Sequence, residues 1–335
     1  MSTGTQTAQT STKTAKDTAN DAIIGVILAG THTWQNGGFE MLLPRPLAPV
    51  VNVPLILHIL HWLRAAGIRT AIICVNRGGQ ALRGLLGDGR FIDMDLYYHE
   101  DRMPRGPAGC ARDAAQPFPA GHYVVVEANM IPSVALKGLL ARHQQESAEG
   151  TIAVGPVAGT RPGVSAQRPS GVYVFGRRAM LCSSRNGYED LKEGLIPRLY
   201  KQNMHVATVQ TPYQGPRCQD IGSYIELNLW TLARMRANRS ANGRSAWQGD
   251  TLIESTAQVA TGARIEGPCL IGRGTKVEDG AIIIGPTVIG RDCRIAAGSV
   301  VRRSVLWDRS DVMPKTRVDG GVFTEFGEFR SRRLN

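Results

Sequence analysis

The stretch TLIESTAQVATGARIEGPCLIGRGTKVEDGAIIIGPTVIGRDCRIAAGSVVRRSVL, residues 251–306, places an aliphatic residue at every sixth position: Ile253, Val259, Ile265, Ile271, Val277, Ile283, Ile289, Ile295 and Val301. Four residues after each comes Ala257, Ala263, Cys269, Thr275, Ala281, Thr287, Cys293, Ser299 or Val305, nearly all small, and Gly or Pro often precedes that position (Gly262, Pro268, Gly274, Gly280, Pro286, Gly298). Ordinary antiparallel strands alternate with period two. A period of six instead predicts a triangular solenoid, with the aliphatic residue pointing into the coil axis and the small one beside a corner. Three units close one coil, so the nine units predict about three coils of stacked parallel strands, each stabilised by burial against its neighbour.

This pattern resembles the left-handed parallel β-helix of hexapeptide-repeat proteins. Many of those are acyltransferases that use a histidine as general base, a role suited to its pKa. All seven histidines here (His32, His58, His61, His99, His122, His143, His205) precede the repeats. The β-helix is therefore expected to be a structural and oligomerising module.

The whole chain of 335 residues is long enough for two domains, and 42% hydrophobic with 20% charged residues is a globular composition. The expected organisation is a disordered Thr/Ala/Ser-rich tail over 1–21, a first domain over 22–236, a linker over 237–250, the β-helix over 251–310 and an extension over 311–335. No run of eighteen apolar residues argues for a membrane span. The six cysteines are scattered without a C-x-x-C or zinc-site spacing, which points to a reducing, cytoplasmic setting. The net charge of +11 reports attraction to anions without saying which anion.

Upstream, strand-like runs at 23–30, 70–76, 95–100, 122–129, 150–154, 170–176 and 204–210 alternate with helix-like stretches at 54–67, 106–115, 134–146 and 188–202. The alternation predicts an α/β domain with a Rossmann-like, mixed, mostly parallel sheet covered on both faces, binding its ligand at the carboxyl ends of the strands. His58 and His61, beside Trp62 in an apolar helix, are expected to pack rather than to bind.

The ordered signatures VILAG, PRPLAPVVNVPLILHILHWLRAAGI, ICVNRGGQALRGLLGDG, GPAGCARDAA, VVVEANMI, SGVYVFG and QDIGSYIELN resemble the nucleotidyltransferase domain of sugar-1-phosphate pyrophosphorylases from about Ile23 to Met235. The mannose-1-phosphate guanylyltransferase and glucose-1-phosphate thymidylyltransferase branches are nearest in flavour, and a β-helix is a familiar companion in that family. The resemblance implies a reaction in which a sugar 1-phosphate attacks a nucleoside triphosphate and expels pyrophosphate. It implies nucleotide and sugar contacts from Leu28, Ala29, Gly30, Arg45, Gly106, Ala108 and Gly109, and Mg2+ held by two carboxylates.

Such a reaction needs a glycine-rich cradle, cations and a metal where charge develops. The family loop G-x-G-T-R-L…P-K-P aligns without a gap across the thirteen residues between Gly30 and Pro44. Its glycines fall on Thr31 and Thr33, its arginine on Gln35 and its lysine on Arg45. A Cβ at Thr31 and Thr33 obstructs close backbone approach, and Gln35 cannot neutralise charge. Arg45 is left as the one candidate for a catalytic cation, and Gly37 and Gly38 could rebuild a different anion nest.

The first metal carboxylate falls on Asn129, a neutral and poorer ligand for magnesium. The second survives as Asp220 in QDIG, which serves either as a remaining Mg2+ ligand or as the cap of the helix that follows. The E-K-P lysine is reduced to Gln167-Arg168-Pro169 after a shortened segment.

These losses predict an impaired pyrophosphorylase-like protein that binds a nucleotide or sugar nucleotide and partners an active paralogue, as a homo- or hetero-oligomer built through the β-helix. Two alternatives stand beside it. One is an active transferase with a site remodelled around Arg45, His32 and Asp220. The other is a scaffold or nucleic-acid partner using Arg234, Arg236, Arg239, Arg244, Arg330, Arg332 and Arg333, which lack the interleaved aromatics of an RNA-binding motif.

Overall fold

A computed structural model of the chain describes residues 22–30, 43–76, 79–156, 167–211, 214–238 and 247–330. Thr31, His32, Thr33, Gln35, Gly37 and Gly38, with most of the shortened segment, lie outside the described residues.

Seven strands make the first sheet: β1 (Ile23–Leu28), β2 (Thr70–Val75), β3 (Asp95–Glu100), β4 (His122–Glu127), β5 (Gly150–Pro156), β6 (Gln167–Gly176) and β7 (Val206–Gln210). Their order is β3-β2-β1-β4-β6-β5-β7, and only β6 runs antiparallel to its neighbours. The expected mixed, mostly parallel sheet is therefore present. Helices are α1 (Leu55–Ala65), α2 (Gln80–Leu86), α3 (Gly106–Ala115), α4 (Leu136–Gln145), α5 (Arg177–Leu181), α6 (Ile196–Lys201) and α7 (Ile221–Ala237).

Central strands such as β4 are apolar along their length because both faces are covered. Val124 and Val126 face a core shared with α1 and α4, and Tyr123 and Val125 face one shared with α3. In α1 the apolar stripe Leu55, Ile56, Ile59, Leu60 and Leu63 follows helical spacing and is wholly buried. His58 accepts its place beside this stripe by bonding the Val50 carbonyl at 3.0 Å, and burial lowers its pKa.

A second histidine is more deeply committed. On α4, His143 is 1% exposed, with Nδ1 2.8 Å from Thr151 Oγ1 and Nε2 3.0 Å from His122 Nδ1. Burial, and then the neighbouring His122, lower its pKa to about 4. The unfolded imidazole takes up a proton near its ordinary value of about 6.5, where the folded one does not. Stability is thus expected to fall as pH drops from about 6.5 through about 4, because the unfolded state binds more protons there. Urea midpoints measured across that window should show the fall, and a folded His143→Gln variant should show a flatter profile.

The repeats form three parallel faces. One stacks Thr251–Ile253, Cys269–Ile271, Thr287–Ile289, Val305–Leu306 and Gly321–Thr324, the second Gln258–Val259, Lys276–Val277, Arg294–Ile295 and Asp311–Val312, and the third Arg264–Glu266, Ile282–Ile284, Val300–Arg302 and Arg317–Asp319. Val277, Ile283, Ile289, Ile295 and Val301 point inward and are buried, as the six-residue period requires. At one corner Gly274 has φ +72°, and a Cβ there would lie 2.0 Å from Asp292 Oδ1.

The ladder runs on past residue 310 into a fourth coil, by way of a change in register. Ile271 pairs with Ile289, eighteen residues on, but Ile289 pairs with Leu306, seventeen on. Ser304, not Val305, therefore takes the small buried position, and Val305 turns outward.

That outward row, Leu252, Leu270, Val288, Val305 and Val322, packs against α7 and against Ala48, Val50, Val51 and Leu55 of the first domain. Polar contacts bind the same seam. Asn52 Nδ2 donates to the Ile289 carbonyl at 3.0 Å, Arg291 Nη2 to the Asn52 carbonyl at 3.0 Å, and Trp307 Nε1 to Tyr224 Oη at 2.9 Å. Val51 and Asn52 form the turn between the short antiparallel strands Pro49–Val50 and Val53–Pro54, with φ of 50° and 62°, an unusual conformation for a β-branched valine.

Candidate functional site

A cavity of ≈ 480 Å³ opens at the carboxyl ends of β1, β2 and β4, a size suited to a small organic ligand. Leu28 ends β1 with Ala29 and Gly30 after it, Asn76 follows β2, and Glu127 ends β4 with Ala128 and Asn129 after it. Gly106, Pro107 and Cys110 come from the start of α3, Tyr188, Asp190, Leu191 and Lys192 from the loop opposite, and Arg45 from a short 3-10 turn held behind Pro44.

Five of the residues expected to contact nucleotide or sugar thus meet on one cavity: Leu28, Ala29, Gly30, Arg45 and Gly106. Ala108 and Gly109 do not line it. Ala108 is wholly buried in the core beneath α3, and a Cβ on Gly109 would meet Arg105 Cβ at 2.8 Å, so both serve helix packing. Gly106 does both jobs. Its φ is +75°, and a Cβ would lie 2.4 Å from the Glu189 carbonyl oxygen. That approach lets Ala108 N donate to Glu189 O at 3.1 Å and ties α3 to the 188–192 loop.

Cations line the cavity at Arg45, which is 6% exposed, and at Lys192. Tyr188, 68% exposed, offers an aromatic face at the rim. Asp190 caps the following turn through the main-chain N–H groups of Lys192 and Glu193, at 2.6 and 3.1 Å. Cys74 and Cys110 meet on the floor, where the hydrogen bond between them and burial raise the Cys74 thiol well above its ordinary pKa. The buried thiol of Cys218, near Arg45 and Asp220, is pushed up to about 12 by burial.

The residues at the expected metal position do not fit a divalent cation. Glu127 Oε1 receives Lys192 Nζ at 3.3 Å and the Tyr173 hydroxyl at 3.2 Å, and Oε2 receives the Arg217 guanidinium in a short contact. Burial would raise the Glu127 pKa, but Arg217 and Lys192 outweigh it and hold the carboxyl below its ordinary value. Arg217 Nη1 also reaches Asn129 Oδ1 at 3.5 Å.

Asp220 is the N-cap of α7. Its Oδ1 accepts from Ser223 N at 2.8 Å and Ser223 Oγ at 2.7 Å, while Asp220 N donates back to Ser223 Oγ at 2.9 Å. This is the capping role, and Asp220 does not line the cavity. Among the described residues no group of three or more His, Cys, Asp and Glu could hold a metal ion.

Sequence reading passed over Glu127, Lys192 and Arg217. A carboxylate two positions before Asn129, at the mouth of a strand, was a visible signal for the first. The other two carry no local signal, because residues distant in the chain meet only through the fold.

Strand ends that enclose a cavity beside a small-residue helix start give an α/β domain with a candidate ligand site, here set on a parallel β-helix. The chain carries a nucleotidyl transferase domain followed by hexapeptide repeats: residues 24–163 match the Nucleotidyl transferase family and residues 268–303 the Bacterial transferase hexapeptide (six repeats) family.

Mannose-1-phosphate guanylyltransferase 1 of Arabidopsis thaliana is 25% identical over 133 residues, covering 38% of this chain and 37% of that protein. D-glycero-alpha-D-manno-heptose 1-phosphate guanylyltransferase of Aneurinibacillus thermoaerophilus is 25% identical over 115 residues, 34% of this chain and 50% of that protein. The matches thus span half or less of those relatives' length. A solved Bacillus anthracis structure assigned as a glucose-1-phosphate thymidylyltransferase, in complex with a sucrose, shares the fold at TM-score 0.56 and 17% identity, covering 64% of this chain and 96% of that one.

Proposed function

We propose that the chain binds a nucleotide or sugar nucleotide in the β1–β2–β4 cavity, turns it over little if at all by the family reaction, and acts as a binding or regulatory partner of an active paralogue. The observation that carries this reading is the state of the strand end at Glu127–Asn129. The carboxylate there is taken up by Arg217 and Lys192, the next site offers a neutral amide, and Asp220 is committed to its helix. The substitutions at Thr31, Thr33 and Gln35 point the same way, since they remove the glycine cradle and a cation together.

Arg45 favours the second reading, an active transferase with a remodelled site, because it keeps a buried cation on the cavity wall. The scaffold or nucleic-acid reading draws less support. Of its arginines, Arg234 lies over the Trp230 ring at 4.5 Å, Arg236 pairs with Asp250 and Arg330 with Glu328. Arg239, Arg244, Arg332 and Arg333 lie outside the described residues. Among the described residues, no helix is long and apolar enough to cross a membrane. The free, scattered cysteines support a reducing setting. The β-helix is the natural element for oligomer formation.

Isothermal titration of GDP, GDP-mannose and dTDP-glucose into the full chain tests the binding claim. Saturable binding near one ligand per chain is the expected result. No heat and no competition among the three, with RNA binding that collapses steeply as salt rises, would move the function to the nucleic-acid reading.

A further inference from the structure

We infer that Arg217 is a built-in cation that takes the place of a divalent metal at the end of β4, so that the site excludes Mg2+ and holds its anionic ligand without one. The place is constructed rather than incidental. Gly171, at φ +90°, leaves the room: a Cβ there would lie 2.9 Å from Arg217 Nη2 and 3.2 Å from Glu127 Cδ. Arg217 Nη2 donates to the Pro169 carbonyl at 3.3 Å, and the next residue, Cys218, fixes its main-chain N–H on the Asn129 carbonyl at 2.6 Å. The backbone that carries the guanidinium is thereby stitched to the strand end it serves.

The donor chemistry agrees. Magnesium selects carboxylates and water, yet the side-chain oxygens at the strand end are already engaged. Asn129 Oδ1 faces a guanidinium, Glu127 has both oxygens on donors, and Asp220 Oδ1 closes a capping box. A divalent ion placed between Glu127 and Asn129 would sit against the positive charge of Arg217. Arg45 and Lys192 both line the cavity wall that an anionic ligand would meet, Lys192 while paired with Glu127. Holding the ligand without a metal rests on the cavity being the ligand site proposed above, whereas exclusion of the metal does not.

Two measurements separate these claims. In the first, Mn2+ alone is titrated into the wild-type chain and followed by the paramagnetic resonance of the free ion, which needs no nucleotide and no variant. No saturable site is expected, and Arg217→Ala combined with Asn129→Asp should gain one that is about tenfold or more tighter than any wild-type binding, since ligand charge sets affinity. A saturable wild-type Mn2+ site weakened by Asn129→Ala would overturn the inference. In the second, GDP affinity is compared in Mg2+ and in excess EDTA. Agreement within about twofold supports metal-free binding, whereas a loss of about tenfold or more (~1.4 kcal/mol) in EDTA would overturn it. If GDP binds in neither buffer, metal-free binding falls with the proposed function, and the Mn2+ titration still decides the exclusion of metal.

Discussion

Val288→Asp is expected to destabilise the protein by more than about 4 kcal/mol, a large part of the 5–15 kcal/mol that holds a typical domain together. Val288 has no exposed surface and sits mid-row on the solenoid face that meets α7. Replacing it by alanine removes two buried carbons and should cost only about 2 kcal/mol. Aspartate instead places an ionisable group in an apolar seam, where it must either remain charged without a partner or take up a proton far from its ordinary pKa. The seam is shared by the β-helix and the first domain, so both should lose stability together. Urea unfolding followed by far-ultraviolet circular dichroism checks this. A midpoint shifted no further than that of Val288→Ala would show that the two domains do not share a core.

The second large effect concerns the ligand. Arg45→Ala with Lys192→Ala is expected to weaken sugar-nucleotide binding by about 10²-fold or more. The estimate follows from about 1.5–3 kcal/mol for each hydrogen bond to a charged group and about 1.4 kcal/mol per tenfold in affinity. Arg45 and Lys192 line the cavity from two distant segments, Arg45 beside Pro46 and Lys192 from the loop tied to α3. Lys192 also faces Glu127, so its loss leaves that carboxylate to Arg217 and the Tyr173 hydroxyl. Calorimetric titration of the double variant, with Arg90→Ala as an exposed control, checks the size. A loss below about threefold would place the ligand elsewhere, since one good charged contact is worth more than that.

The fold was legible where a local rule repeats. The columns through Ile271, Ile283 and Val301 announce a solenoid because a coil of fixed perimeter forces the same chemistry every six residues. The expected helix at 106–115 coincides with α3 because a glycine with positive φ starts it and a run of alanines gives it one small face. The fourth coil was not visible because the spacing contracts to five from Val301 to Leu306 and again from Val318 to Phe323, and a strict six-residue reading then puts Val305 at the small position that Ser304 fills.

The site was legible only in part, and for a physical reason. Leu28, Ala29, Gly30, Arg45 and Gly106 belong to local motifs whose backbone shape brings them to the strand ends. Ala108 and Gly109 belong to the same motif but face the core and Arg105, a distinction of helix phase that identity alone does not convey. The Glu127–Arg217–Lys192 cluster joins three distant segments, so its charge balance exists only in the folded chain. Asp220 had two roles open from sequence, and its bonds to Ser223 show the capping one.

Binding without turnover is tested most directly by pyrophosphate release from GTP with mannose 1-phosphate, and from dTTP with glucose 1-phosphate, at saturating Mg2+. Each lost charge-stabilising group typically costs about 10²–10³-fold in rate, so the loss of a cradle arginine, a metal carboxylate and the sugar-phosphate lysine should leave wild-type release no faster than that of the Arg45→Ala, Lys192→Ala double variant. Release that clearly exceeds the double variant and rises with sugar-phosphate concentration would contradict it and establish an active transferase.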